Sequence, residues 1–406
     1  MVHRVLGPSA RRMEIFDPQF HDGDWKDRAD AVSRIAAVHA KAVDSSARFP
    51  HEAMDALRSE RLLGIMAPVE LGGEGARVSD MIDVCYRLGK ACSATAMIYA
   101  MHQTMAACLV RHGRGNPWQD GLIRRLARDQ LLLASSTTEG SSGGDLRSSE
   151  AAVEYEGAQI RLERMASCIS YGEHADGVVT TARRSADSAS TQQVLIAFPK
   201  ECYTLERRQS WDTLGMRGTC SIGFMLRAEG IAEQILPDPY DRINAHTMMP
   251  VAHLAWAGAW AGIAAGAIER ARLFVLESMW KSGGKVPPGA AHLTRGSTLL
   301  ETLRNRISAA AERFEAVCDD RHALSSMEFQ TAMNFLKVEA SELAVSIAME
   351  AMRTCGLSGY RNDTEFSIGR QLRDLLSSPI MINNDRILAN MGPHAMLCET
   401  PSGLSQ

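Results

Sequence analysis

The stretch Leu131–Asp145, LLLASSTTEGSSGGD, places the tightest limit on how this chain can fold. Three apolar residues run into a tract of small and polar ones that ends on an acid. Ser and Thr side chains compete for the backbone's own hydrogen-bonding groups, and Gly loses too much conformational freedom, so the tract cannot sit inside a helix. It predicts a loop that offers hydroxyls and backbone amides to whatever lies beside it. The sequence on either side reads as helical, so a polar loop and its strands lie between two helical masses.

Apolar spacing supports that division. Lys26 to Asp44 carries Val32, Ile35, Ala36 and Val43 at helical intervals, and a second helix runs through Ala53, Met54, Leu57 and Leu62 to Gly64. Ser79 to His112, rich in Met, Ala and Cys, reads as a core helix. Within it, His102, Gln103 and Thr104 are either a satisfied polar cluster or the wall of a binding site. After the loop, Val153 and Tyr155 with Ile160 and Leu162 predict a hairpin. Further strands are expected at 178–181, 194–198, 221–227 and 233–236, giving a sheet of about half a dozen strands. No helical crossover separates them, so an antiparallel barrel or meander is expected. Helical patterns resume at Met248 and recur around Leu300–Phe314, Met327–Arg353 and Ile368–Met391, which predicts a four-helix bundle. The reading is an α+β chain with an N-terminal helical domain (1–133), a central β-barrel-like domain (134–237) and a C-terminal four-helix bundle (238–406).

Composition excludes several function classes. A hydrophobic content of 45% with 23% charged residues belongs to a folded globular chain, and a net charge of −4 gives no support to nucleic-acid binding, which usually needs a basic face. Nine scattered cysteines without a CxxC pair favour neither a disulfide framework nor a metal site, and fit reduced thiols in the cytoplasm. The N-terminal MVHRVLGPSARR lacks the apolar core of a signal peptide. Val251–Ile268, VAHLAWAGAWAGIAAGAI, imitates a membrane span but falls short of the ~20 apolar residues one needs. Its Ala and Gly predict a buried helix that another helix or a ligand approaches closely, and no membrane partner.

Helices, a small β domain and a helical bundle are also the layout of the acyl-CoA dehydrogenase family, and six segments resemble that family in order. Phe49-Pro50 through Gly75 is similar to its early helix, Pro turn and Gly-rich loop. Thr138-Glu139 to Asp145 resembles its Thr-Glu-Pro-Gly-x-Gly-Ser-Asp loop, and Cys168-Ile169-Ser170 its Trp-Ile-Thr segment beside the flavin. Leu214-Gly215-Met216-Arg217-Gly218 matches its Leu-Gly-x-Arg-Gly turn. Gly356, Gly359 and Tyr360 fit one closing motif, and Arg370, Arg373 and Asp374 fit the other. The resemblance implies an FAD flavoprotein that oxidises the CH–CH group of an acyl thioester on coenzyme A or an acyl carrier protein, as a homo-oligomer (tetramer or dimer). It assigns cofactor contacts to Thr137, Thr138, Cys168, Ser170, Arg353, Gly356, Asn383 and Asn384, and substrate contacts to Ser141, Ser142 and Gly143.

The departures are as informative. The family's base is usually a Glu eight residues after the Arg-Asp pair, where this chain has Ile382. A minority place it early in the helix after the β domain, where this chain has Ala252 and His253. Arg353 replaces a Gln that reaches a neighbouring subunit's flavin, and Cys168 replaces the Trp. Three readings follow: a dehydrogenase with a displaced base, for which Asp385, His253 and His102 are the candidates; a flavin-dependent monooxygenase of the same fold, which needs no α-proton base; or a non-catalytic binding or scaffold protein.

Overall fold

The structure, a computed structural model, describes residues 25–139 and 148–397, so Ser141, Ser142, Gly143 and Asp145 lie outside the described residues. The first helices are α1 (Trp25–Ser45), α2 (His51–Ser59), α3 (Val78–Ala91), α4 (Ser93–His112) and α5 (Pro117–Asp129). The single helix expected over Ser79–His112 is two, because Cys92 takes extended dihedrals between them (φ −146°, ψ 113°). α2 stops short of Gly64 because Arg61 already turns left-handed at φ 55°. At the start of α5, the Asn116 side chain accepts from the amides of Trp118 and Gln119, and Pro117 opens the first turn.

Seven strands follow among the described residues: β1 (Leu133–Ser136), β2 (Glu154–Glu156), β3 (Gln159–Ile169), β4 (Gly177–Arg183), β5 (Gln193–Pro199), β6 (Tyr203–Arg207) and β7 (Ile222–Ile231). They form two sheets, ordered β1-β4-β5 and β2-β3-β7-β6. The expected hairpin is present as β2–β3, and the second sheet is antiparallel throughout. The all-antiparallel expectation is corrected by β1, which runs parallel to β4. The crossover between them is β2 and β3 rather than a helix, so a search for helical crossovers misses it. Residues 233–236 are not a strand: Ala232–Gln234 is a 3-10 turn, with only an isolated bridge from Ile235 to Ile196. Burial separates the sheets. β4 and β5 are buried almost throughout, whereas β3 alternates exposed and buried along most of its length.

The C-terminal part contains α6 (Tyr240–Ile243), a π-helical turn (Asn244–Met248), α7 (Met249–Lys281), α8 (Ala290–Val317), α9 (Arg321–Ser325), α10 (Met327–Cys355), α11 (Leu357–Tyr360), α12 (Gly369–Leu375) and α13 (Asn384–Leu397). The fourth long helix expected over 368–391 is broken into α12 and α13 by a turn containing Pro379, so the bundle has three long helices and two short ones.

α7 is the centre of the packing. Its apolar window passes the length and composition test for a membrane span, but 94% of that window is buried inside the protein. The small residues serve another helix: a Cβ on Gly262 would lie 2.1 Å from the carbonyl oxygen of Tyr86 on α3, and one on Gly89 of α3 would lie 2.5 Å from that of Ala259. The two backbones therefore touch directly, and no side chain larger than hydrogen fits at the crossing.

Gly262→Ala is expected to lower the free energy of unfolding by about 1–3 kcal/mol, since backbone on both sides must move. Gly121→Ala in α5, where an added Cβ meets nothing within 4 Å, should raise it by up to ~1 kcal/mol through helix propensity. Urea titration of both variants checks the pair.

Candidate functional site

The central loop leaves β1 at Ser136, and its visible start is a ledge of hydroxyls. Thr137 and Thr138 are half-buried; Thr137 lies 3.4 Å from Ser135 Oγ, and Thr138 Oγ1 accepts from Ser167 at 3.2 Å. Glu139 anchors both ends of the loop. Its carboxylate pairs with buried Arg164 at 2.9 Å and accepts from the Ser149 hydroxyl at 2.9 Å and the Glu150 amide at 2.6 Å. Arg164 also donates to Ser149, so the pair is hydrogen-bonded as well as charge-matched, as a buried ion pair requires.

A β-bulge completes the ledge. Ala166 faces Phe224 and Ile169 faces Ile222, so one extra residue is accommodated between them and Ser167 and Cys168 are re-aimed. Ser170 Oγ lies 2.8 Å from Ser221 Oγ, which lies 2.8 Å from Thr219 Oγ1. Cys168 Sγ is 3.9 Å from Ser170 Oγ, and burial pushes its thiol up, so it presents a protonated sulfur at neutral pH. Thr138 is thus tied to the bulge at Ser167, with Cys168 following on the same strand and Ser170 just past its end, and buried Ser136 Oγ has no partner among the described residues. A chain of rotatable hydroxyls that both donate and accept suits the mixed donors and acceptors of a flavin ring.

The histidines stand apart from that ledge. His102 is fully buried on α4, with Nε2 2.8 Å from the Leu63 carbonyl and Nδ1 3.0 Å from the Leu133 amide. A carbonyl only accepts and an amide only donates, so the proton is on Nε2 and both nitrogens are used. Gln103 donates to the carbonyls of Leu62 and Leu63 at 3.0 Å. These residues form a polar clamp that holds β1 and the turn after α2 against α4; Gln103 Oε1 has no partner among the described residues, and His102 has no nitrogen left to take a substrate proton. Burial pushes its pKa down to about 4.

His253 belongs to a second cluster on the inner face of α7. Its Nδ1 donates to the Met333 carbonyl of α10 at 3.0 Å, and burial, with Lys337 nearby, pushes its pKa down to about 4. Trp256 and Trp260 follow on the same face, and the indole nitrogens of both are buried without a partner. Lys337 of α10 lies 5.9 Å from the Trp260 ring and binds Asn384, the first residue of α13, at 2.6 Å. Lys337 was not among the residues that sequence reasoning singled out. The available signal was a cation four residues after Met333, on the face that also buries Ala340, Ala344 and Ile347.

The remaining expected site residues are dispersed. Asp385 is exposed in the first turn of α13, where its amide binds Asn383 Oδ1 at 2.8 Å, and it does not reach the buried cluster. Asn383 is exposed and serves that turn, whereas Asn384 is buried. Arg353 is exposed and pairs with Glu350 at 3.2 Å, and Gly356 turns the chain at φ 55°. Ile382 adopts a left-handed φ of 47°. Two motifs that are far apart in sequence meet. The Met216 amide donates to Asp374 at 2.7 Å, Arg373 reaches Asp44 at 2.5 Å, and a Cβ on Gly215 would lie 2.2 Å from the Arg373 carbonyl oxygen.

The chain is similar to known proteins in sequence and in fold. Residues 27–120 match the profile of the acyl-CoA dehydrogenase N-terminal domain, and residues 245–391 that of its C-terminal domain. A probable FMNH2-dependent monooxygenase, SfnC of Pseudomonas putida, is 23% identical over 366 residues, 87% of this chain and 90% of that protein. Mitochondrial isovaleryl-CoA dehydrogenase of Pongo abelii is 25% identical, over 83% of this chain and 79% of its own. FMN-bound TdsC from Paenibacillus sp. A11-2 superposes with a TM-score of 0.81 at 16% identity, covering 93% of this chain and 98% of that one.

Two of the buried imidazoles, His102 and His253, make stability depend on pH. Each has a folded pKa of about 4 against 6.5 when unperturbed, so between those values the unfolded chain binds more protons. Stability should therefore fall as pH drops through this window, by on the order of 3 kcal/mol per imidazole, and be unaffected by them above it. Urea unfolding at neutral pH and at the low end of the window should show this loss, with a smaller loss in His102→Gln.

Proposed function

Since the chain belongs to the acyl-CoA dehydrogenase family, we propose that it acts as an oxygen-inserting member of that family, a flavin-dependent monooxygenase. One observation carries the reading: no carboxylate stands at either position from which the family removes an α-proton. One position is Ile382 and the other is Ala252 and His253. A dehydrogenase must hold a base against the substrate's α-carbon. Here the buried groups around those positions are a weakly basic imidazole, two indoles and an ammonium, which mainly donate. Isovaleryl-CoA dehydrogenase covers much of the chain, but thioester dehydrogenation lacks its base. SfnC and the FMN-bound TdsC fold favour oxygenation.

The hydroxyl ledge fits the flavin. Thr137, Thr138 and Ser170 would hold its polar edge, and Cys168 would stand beside it as a neutral thiol. When bound in reduced form, a flavin supplies two electrons to dioxygen, so that one oxygen atom enters the substrate and the other leaves as water. Trp256 and Trp260 make the inner face of α7 apolar, which would keep water from that side. FAD is the family's cofactor. FMN is the second candidate, since the TdsC structure of similar fold binds it.

Self-association is part of the reading. Leu273, Leu276 and Trp280 are exposed at i, i+3 and i+7 on the last turns of α7, and Trp280 is 82% exposed. Val286, Leu357 and Tyr360 are also exposed apolar residues. An apolar stripe of this kind needs a partner surface, and we propose a homo-oligomer, a tetramer as the family resemblance implies.

With an added flavin reductase, NADH and FMN or FAD, the protein should bind flavin and oxidise its substrate with matching oxygen uptake. A saturated acyl-CoA should leave bound flavin unbleached without oxygen. Anaerobic bleaching by the thioester would overturn the reading. Mass photometry should give a multiple of the 44.3 kDa chain mass, and Trp280→Glu should shift it toward the single chain.

A further inference from the structure

Lys337 is fully buried, and no carboxylate lies within ion-pair distance of it among the described residues. Its Nζ donates to the Ser378 carbonyl at 3.1 Å and to Asn384 Oδ1 at 2.6 Å. Those two acceptors bracket the turn between α12 and α13, and Ile382 lies inside it. A β-branched residue at φ 47° is strained, because its Cβ crowds its own backbone, and such a conformation persists only when its surroundings impose it. The turn has further ties: the Asn384 amide reaches the Pro379 carbonyl at 2.9 Å, Ser378 Oγ donates to the Ser341 carbonyl at 3.1 Å, and Asn384 Nδ2 donates to Ser341 Oγ at 3.0 Å. Among the described residues, Lys337 bonds to both ends through its side chain, and Ser341 through its carbonyl and hydroxyl together.

We propose that Lys337 is a positioning residue of the site: its ammonium spans the turn from Ser378 to Asn384 and holds Ile382 left-handed at the wall where the family carries its base. A buried, unpaired cation is a costly way to brace a turn, and an apolar side chain of equal length would fill the space at lower cost. Bracing for stability alone therefore does not account for the charge. Charge enters in the same place. The titratable groups facing the ammonium are Glu342 on its own helix and His253 on α7, while the turn and α13 face it only with a carbonyl and a carboxamide. Burial pushes the Lys337 pKa down to about 8, so the brace is charged at neutral pH and loses its charge in mildly alkaline solution.

The test compares the full-length wild type with Lys337→Met and Lys337→Arg. In Lys337→Met, amide hydrogen exchange across 379–384 should accelerate at least tenfold, while the urea midpoint at neutral pH stays level or rises. Lys337→Arg, which keeps the charge and the donors, should retain protection of the turn. In the flavin-dependent oxygen assay, Lys337→Met should lower kcat more than it raises KM and lose a limb near pH 8. Only this kinetic arm rests on the monooxygenase reading. Unchanged exchange in Lys337→Met overturns the positioning role whatever the assay shows, and so does a urea midpoint that falls together with protection. Faster exchange at the turn with no oxygen uptake by the wild type overturns the monooxygenase reading alone.

Discussion

The direct contact between the backbones of α3 and α7 is the constraint on which the rest of the structure depends. With Gly262 against the Tyr86 carbonyl and Gly89 against that of Ala259, α7 lies as deep as a helix can. Its opposite face then meets α10, and its early turns meet α4. A 33-residue helix held this way has almost no solvent on its first half, and polar groups placed there are costly unless they find partners. His253 finds the Met333 carbonyl and Lys337 finds the 378–384 turn, while the indole nitrogens of Trp256 and Trp260 find nothing.

The two polar surfaces differ in character. The ledge of Thr137, Thr138 and Ser170 is made of hydroxyls that reorient to suit either a donor or an acceptor, and Glu139 and Arg164 hold it from below. The inner face of α7 and α10 instead presents indoles and an ammonium. Where a dehydrogenase needs an acceptor of protons, this chain places donors.

Much of the fold is legible in the sequence, because apolar spacing reports which face of a helix or strand is buried. α1, α7 and α10 follow from it nearly to their ends, and the β2–β3 hairpin is placed by it although β3 runs on past Leu162 to Ile169. The break at Cys92 and the division of the last helix do not, since both depend on single backbone conformations that leave the hydrophobic pattern undisturbed. The parallel pairing of β1 with β4 is hidden for a different reason: strand direction is a property of the neighbour, and local alternation carries no record of it. Within the site, the hydroxyls of Thr137, Thr138 and Ser170 are recognisable from their tract and their motif. His102 is ambiguous, because a buried clamp and a binding wall use the same residues. Only the carbonyl of Leu63 and the amide of Leu133 distinguish the two.

By itself the sequence determined the order of helical and strand segments, the composition of the polar loop, and the absence of a carboxylate where the family keeps one. All of these are properties of residues along the chain. Only the tertiary structure decided that Gly215 and Met216 pack on Arg373 and Asp374, that Asp385 faces solvent, and that Lys337 reaches across to the turn holding Ile382. Those outcomes depend on distances between segments remote in sequence. A lysine on an apolar helix face reads the same whether it stays buried or reaches solvent, until the partners at the end of its side chain are known.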